Sequence, residues 1–299
     1  MKEITLIAIL GPSGSGKSAC AMELAPLLDA EIFSLDSLSI YKEMDILSAK
    51  PSLTDRAQVK HYGIDVLDIP QSSNAALFKS LLLEAIEQTQ KRYLLIVGGS
   101  SFFLKAIMQG LSPMPSLNAE SRHAIEQKIA ALKNPYEFLH RIDAESALKL
   151  KPQDTYRIHK SLEIFFATQT RPSEYFRAHP PLSFPYPIHP FALQISRQIL
   201  RQRVEARTEI MLENGGLEEM QNLLTRYEIS CQPFKAIGPK ECIDFLQGAI
   251  TYPMLKEQIT NHTMQLAKRQ NTFNKTQFSN LVFLEKDALF DEILRLYRA

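Results

Sequence analysis

Hydrophobic positions follow two different periods in the first hundred residues. Ile4 to Leu10 is a run dominated by isoleucine and leucine, the pattern of a parallel strand covered on both faces. Lys17 to Leu28 switches to helical spacing through Ala21, Leu24, Ala25 and Leu28. Ala30 to Leu35 predicts a second strand, with Asp36 at its carboxyl end. Asn74 caps an amphipathic pattern through Leu77, Leu81, Leu82, Ala85 and Ile86. Tyr93 to Val97 predicts a third buried strand, closed by Gly98 and Gly99, and Ser101 to Met108 resumes helical spacing. Strand and helix alternate, which predicts a doubly wound parallel sheet.

The texture changes near Leu111. Ser112 to Ser116 is a turn-rich break with two prolines. From Asn118 to about Thr168 the spacing is helical throughout, carried by Ile125, Ile129 and Leu132, then Phe138, Leu139 and Ile142, then Ile158, Leu162 and Phe165. A second proline-rich stretch runs from Pro180 to Pro190. Phe191 to Ile195 then predicts a returning strand, followed by helices over Arg197 to Glu213 and Tyr252 to Thr272, a short apolar run Leu281 to Leu284, and a last helix. The expected organisation is an α/β core over residues 1–112 and 190–299, interrupted by an all-helical insertion over 113–189 with proline-rich hinges at both ends.

Composition narrows the classes. The 299 residues are 45% hydrophobic and 22% charged, which excludes a disordered or collagen-like chain. Lys plus Arg number 34 against 33 acidic residues, so net charge does not advertise a nucleic-acid partner, although a local basic groove balanced elsewhere is compatible with it. Cys20, Cys231 and Cys242 are odd in number and lack metal-ligand spacing, which fits a reducing cytoplasm. Met1, Lys2 and Glu3 before the first apolar run hint at a leader, but no small-residue cleavage site follows, and the run is read as a buried strand. No stretch is long enough to span a bilayer, so a cytoplasmic protein without a membrane partner is expected.

The strongest local signal is Gly11-Pro12-Ser13-Gly14-Ser15-Gly16-Lys17-Ser18, which satisfies G-x-x-x-x-G-K-[ST] after a predicted strand and at the start of a helix. Small residues let backbone N–H groups turn toward phosphate oxygens, and the helix N-terminus adds partial positive charge. Lys17 is placed to reach terminal phosphates, and the Ser18 hydroxyl to ligate Mg2+. The bland alternative is a structural glycine turn. The fold class is therefore a P-loop NTPase-like α/β core, a parallel sheet flanked by helices. A hydrolase would usually end a strand in a carboxylate that holds the metal, yet the third strand ends Val97-Gly98-Gly99-Ser100. The acid is Asp36 on the second strand, at the edge where ligands bind in such sheets, and its reach suits a general base. A plain capping role for Asp36 is the alternative.

The chain resembles the bacterial tRNA dimethylallyltransferases, the isopentenyl (IPP) transferase family. The likeness is carried in order by Gly11 to Ser18, Asp36 to Asp45, Ser48-Ala49-Lys50-Pro51, His61 to Asp68, Val97 to Ser100, Asp154 to Glu163, Ala236 to Glu241 and Gln265 to Gln270. It implies that the P-loop holds dimethylallyl pyrophosphate with Mg2+, and that the acceptor is N6 of the adenosine 3′ of the anticodon. By resemblance Asp36 is the base, Ser100 stands at a threonine that hydrogen-bonds the bridging oxygen, and Arg122 belongs to the same catalytic set. Contacts to the tRNA anticodon stem-loop are expected from Asp36, Ser37, Leu38, Ser39, Ser100 and Arg122, from Tyr156, Arg157, Ile158, His159 and Lys160, and from Lys268 and Arg269. Arg197, Arg201, Arg203 and Arg207 form a further basic row, although Glu205 and Glu209 alternate with it and a solvated, ion-paired face explains part of it.

The chain departs from the family at Ser39, usually Gln, at Phe103 and Phe273, usually Tyr and Trp, and at Pro239, which replaces the Tyr of G-Y-K-E. No Cys follows Cys242, so the zinc finger of eukaryotic members is not expected. His61 and Asp65 have helical metal-ligand spacing but lack further partners, and a structural role is expected. A monomer is expected. The rival activities are an adenylate isopentenyltransferase, a P-loop nucleotide or small-molecule kinase, and, outside enzymes, a nucleotide-gated RNA-binding protein.

Overall fold

The computed structural model describes residues 3–297; Met1 and Lys2, the start of the segment considered as a leader, lie outside the described residues with Arg298 and Ala299. The chain begins β1 (Thr5–Leu10), α1 (Lys17–Leu28), β2 (Ala30–Ser34), α2 (Leu53–Gln58), β3 (His61–Tyr62), α3 (Ala75–Gln88), β4 (Tyr93–Gly98) and α4 (Ser101–Gln109). Five helices follow: α5 (Ala119–Ala130), α6 (Pro135–Ile142), α7 (Ala144–Leu148), α8 (Thr155–Thr168) and α9 (Pro172–Ala178). The chain returns through β5 (Ile188–Leu193), α10 (Arg197–Glu213), α11 (Gly216–Leu224), α12 (Pro239–Leu246), α13 (Tyr252–Gln277), β6 (Val282–Leu284) and α14 (Lys286–Tyr297).

The six strands form one sheet in the order β3-β2-β4-β1-β5-β6, every pairing parallel. Alternation along β1 shows why its sequence is apolar from Leu6 to Leu10. Leu6, Ala8 and Leu10 enter one core cluster with Phe78, Leu82 and Leu104, while Ile7 and Ile9 enter another with Leu24, Leu28 and Leu289. Both faces are covered by helices, so a polar side chain from Leu6 to Leu10 would be buried without a partner, while Thr5 at the half-buried end is tolerated. The parallel α/β fold expected from the sequence is the one observed.

Two strands differ from expectation. β3 is only two residues long at the sheet edge, too short to leave a periodic signal. β5 starts at Ile188, three residues before the predicted start, and takes in Pro190 opposite Ala8. β6 pairs with β5 only from Phe191 onward, so Pro190 lies where the strand has a neighbour on one side alone, a position that tolerates its missing N–H.

The chain divides into two units, one of residues up to Met108 and from Phe184 on, the other Gln109–Ser183. The second unit was expected to span 113–189. It starts earlier because Leu111 bridges to Leu182, and ends earlier because Phe184 and Tyr186 pack on the core of the sheet unit. Within the helical unit Ile125, Ile129, Leu139, Ile158 and Leu162 form the core. There the buried Asp143 carboxylate accepts the N–H groups of Ser146 and Ser173, fastening α7 to α9. Among the described residues no helix is long and apolar enough to cross a membrane.

Candidate active site

Gly11 to Ser18 joins β1 to α1, so the loop closes over the N-terminus of a helix. Lys17 is the first residue of α1, buried, and its Nζ donates to the Pro12 carbonyl at 3.2 Å. Burial lowers its pKa to about 8; the Asp36 carboxylate opposes that fall and Arg207 adds to it. Loop amides are divided between two tasks. Ser15 N–H donates to the Pro12 carbonyl at 3.1 Å and Ser13 N–H to Gln270 Oε1 at 3.0 Å. The amides of Gly14, Gly16, Lys17 and Ser18 make no hydrogen bond among the described residues, and these are the donors left for an anion. Of the eight residues expected to bind phosphate, Pro12, Ser13 and Ser15 thus shape the loop with their backbones.

β2 ends at Ser34, and Asp36 follows at the carboxyl edge of the sheet. Its Oδ1 accepts the N–H groups of Leu38 and Ser39 at 2.9 and 3.2 Å, which fixes the carboxylate plane. Oδ2 carries no hydrogen bond among the described residues. Two cavities meet at this group. A polar one of about 520 Å³ is lined by Lys17, Ser18, Ser39 and Lys50. A second of about 420 Å³ has an apolar wall of Leu38, Phe102, Phe103, Met211, Ile259 and Phe273. Asp36, Ser13, Ser48 and Arg207 line both. One carboxylate therefore stands between an anion cradle and an apolar chamber.

Ser100 also lines the apolar chamber; its N–H reaches the Leu35 carbonyl at 3.4 Å and its own carbonyl accepts the Phe103 and Leu104 N–H groups of α4. The far wall is α13, with Leu266, Arg269, Gln270 and Phe273. Sequence reasoning gave Gln270 no role of its own and read Arg203 and Arg207 of α10 only as part of a basic row for RNA, whereas Arg203 lies at the loop's backbone and Arg207 at its cavity. Arg203 donates to the Ser15 carbonyl at 2.9 Å, and Arg207 lines both cavities. Arg201 instead pairs with Glu205 at 2.8 Å, as the alternating charges suggested. Pro239 sits at the first position of α12, where a missing N–H costs nothing, and the Gly238 N–H donates to the buried Glu241 at 2.7 Å.

The residues expected to touch RNA separate on inspection. Ser37 and Leu38 line the apolar chamber. Ser39 does not face outward: it is 3% exposed, and its hydroxyl lies 3.0 Å from that of Ser34 in the polar cavity wall. Ile158 is 2% exposed because it faces the core of the helical unit, so its side chain is not a contact. In that unit Tyr156 and His159 are exposed, Arg157 pairs with Asp154, and both Lys160 and Arg122 approach Glu163, at 2.5 and 3.8 Å. Lys268 and Arg269 are exposed on α13 and form no ion pair among the described residues. His61 and Asp65 hold structure, the first against the Val59 carbonyl and the second against Lys50 and Arg56.

Among the described residues no three His, Cys, Asp or Glu side chains gather to hold a metal ion. A Mg2+ ion needs no such cage, because it keeps several waters and shares phosphate oxygens with the protein. Ser18 is exposed at the start of α1 and lines the same cavity as Asp36, and these hard oxygen donors fit it.

A parallel sheet with a phosphate loop after β1, a buried lysine, and an apolar chamber meeting the loop's cavity at one carboxylate define a P-loop α/β protein with a two-part site. The comparisons with known proteins give that class a family. A family model described as IPP transferase matches residues 39–277. A tRNA dimethylallyltransferase of Helicobacter pylori (strain ATCC 700392 / 26695) is 57% identical over 276 residues, 92% of this chain and 89% of that protein. One from Helicobacter hepaticus is 48% identical over 295 residues, 97% of each. A solved tRNA isopentenylpyrophosphate transferase of Staphylococcus epidermidis superposes with a TM-score of 0.70 at 27% identity, covering 99% of both chains. A eukaryotic dimethylallyltransferase solved acting on tRNA shares the fold, with a TM-score of 0.78 at 24% identity over 95% of this chain and 74% of that one. The chain belongs to the IPP transferase family.

Proposed function

We propose that this protein transfers the dimethylallyl group of dimethylallyl pyrophosphate to N6 of the adenosine 3′-adjacent to the anticodon of tRNA, releasing pyrophosphate. The observation that carries this reading is the position of Asp36, in the wall of both the anion cradle and the apolar chamber. The loop amides, Lys17 and Arg207 take the diphosphate head. The allylic tail and a flat base both suit a chamber walled by Phe102, Phe103 and Phe273. The target base is stacked in a folded loop and must be extruded to enter it.

The N6 lone pair attacks the allylic carbon as the carbon–oxygen bond breaks, and the bonding pair leaves on the pyrophosphate oxygen. The adenine amine is a weak nucleophile because its lone pair is delocalised. Asp36 Oδ2 accepts the proton that N6 sheds, and Ser100, on the chamber wall, hydrogen-bonds the bridging oxygen of the diphosphate. Ser18 would hold Mg2+, which when bound offsets charge building on the leaving group. Tyr156, Arg157, His159, Lys160 and Arg122 of the helical unit, with Lys268 and Arg269, supply contacts to the anticodon stem-loop. The protein acts as a cytoplasmic monomer.

The test is incubation with unmodified tRNA, dimethylallyl pyrophosphate and Mg2+, followed by mass analysis of the nucleosides. An isopentenyl adduct at the adenosine 3′ of the anticodon is expected. Transfer to free AMP instead, or phosphoryl transfer from ATP, would replace the reading with one of its rivals.

A further inference from the structure

α13 carries one side chain whose amide is committed at both ends to the backbone of the reaction chamber. Gln270 Oε1 accepts the Ser13 N–H at 3.0 Å, and Gln270 Nε2 donates to the Gly99 carbonyl at 2.9 Å. Ser13 offers only a donor there and Gly99 only an acceptor, so a single orientation of the amide serves both. Ser13 follows β1 and Gly99 follows β4, neighbouring strands whose pairing ends at Leu10 and Gly98. Past that rung the two loops have no ladder between them, and Gln270 supplies one more cross-link where the sheet stops. The fit is close: a Cβ on Gly99 would come within 2.5 Å of Nε2.

We infer that Gln270 is a positioning residue for prenyl transfer, the strut that holds the phosphate loop and the Ser100 turn at one separation. The inference rests on the function proposed above. The loop carries the leaving group, and the residue after Gly99 lies on the wall of the chamber that takes the acceptor. Gln270 spends its bonding on protein backbone, so it adds no ligand to the diphosphate. Its loss misaligns the two substrates while leaving each able to bind.

The side chain is suited to this by length and by having both a donor and an acceptor. Methionine has a similar shape with neither group. Glutamate still accepts from Ser13, but when ionised it has no proton for the Gly99 carbonyl. A protonated glutamate restores both bonds, so Gln270→Glu converts the strut into a titratable one.

The test uses the full chain with dimethylallyl pyrophosphate and unmodified tRNA. For Gln270→Met the single-turnover transfer rate should fall about 100-fold, with affinity for dimethylallyl pyrophosphate (measured without tRNA) and for tRNA each within about threefold of wild type. For Gln270→Glu the rate, divided by that of wild type at each pH, should rise as pH falls toward the carboxyl range. This ratio carries the test should Gln270→Met fail to fold. A flat ratio, an undiminished Gln270→Met rate, or equal losses of rate and diphosphate affinity would overturn the inference. No transfer by the wild type would instead defeat the proposed function and this inference with it.

Discussion

Asp36→Asn separates the chemistry of the site from its shape. Asparagine keeps Oδ1, so the N–H groups of Leu38 and Ser39, at 2.9 and 3.2 Å, retain their acceptor and the turn stays in place. What changes is Oδ2, replaced by an NH2 that cannot take a proton. Loss of a positioned general base lowers a rate by about 10²- to 10⁴-fold. At about 1.36 kcal/mol per tenfold, that is about 3–5 kcal/mol of barrier. A second effect has a definite sign. The Asp36 charge raises the Lys17 pKa, while burial and Arg207 lower it. Removing that charge lets the lysine fall below its present value of about 8, so diphosphate binding by the variant should weaken at lower pH than in wild type. The assay is single-turnover transfer with excess enzyme, read by nucleoside mass analysis, beside filter binding of tRNA. A rate within about threefold of wild type, or a loss of tRNA binding in place of rate, would refute the base assignment.

Three further outcomes are expected. Protonated Lys17 is the form that attracts the diphosphate, so affinity for dimethylallyl pyrophosphate without tRNA should be full below pH 8 and fall as pH rises through it, and calorimetry of Lys17→Met should show that dependence flattened. Neutralising Lys268 and Arg269 together should weaken tRNA and reduce the slope of log affinity against log salt by about 1.4, at about 0.7 per single-strand phosphate contact. An unchanged slope places the RNA elsewhere. Gly98→Ala would set a Cβ 2.0 Å from the Leu35 carbonyl oxygen, a backbone atom that cannot swing aside. It should cost about 3 kcal/mol or more in chemical denaturation, and near-wild-type stability would contradict the close approach of the Leu35 backbone to Gly98.

Features written in consecutive residues were legible. The run at β1, the loop Gly11 to Ser18 and the helix from Lys17 to Leu28 are local patterns, and the structure forms each of them. α10 was legible to the residue because Ser196 caps its start by accepting the Ile199 N–H. The position of Asp36 was legible through topology, since an acid at the carboxyl end of a parallel strand faces the crevice, and it lines both cavities there. Local reading failed where a residue's task depends on a remote neighbour. Pro190 read as a hinge because its tolerance in β5 depends on how far β6 extends along that strand. For Ile158 the helical spacing with Leu162, one turn on, pointed to the core where it lies, and it was the resemblance that placed it among the contacts.

Gln270 is the sharpest case, and the reason lies in how a motif draws attention. Gln265 to Gln270 stood out for its two adjacent charges, while the neutral glutamine at its end makes bonds across 257 and 171 residues of chain. A helical reading of α13 nevertheless held the clue. Leu266, Arg269, Gln270 and Phe273 fall at i, i+3, i+4 and i+7, one face, and all four line the chamber. Lys268 falls off that face and is exposed. The two cations therefore do different work, although they are adjacent in sequence. Lys268→Gln alone should change the salt dependence of tRNA binding and leave the transfer rate at saturation untouched. Arg269→Gln should change both, because its side chain lines the chamber proposed to take the base. Equal effects of the two substitutions on rate would mean that α13 does not present the chamber face its periodicity and the cavity wall together define.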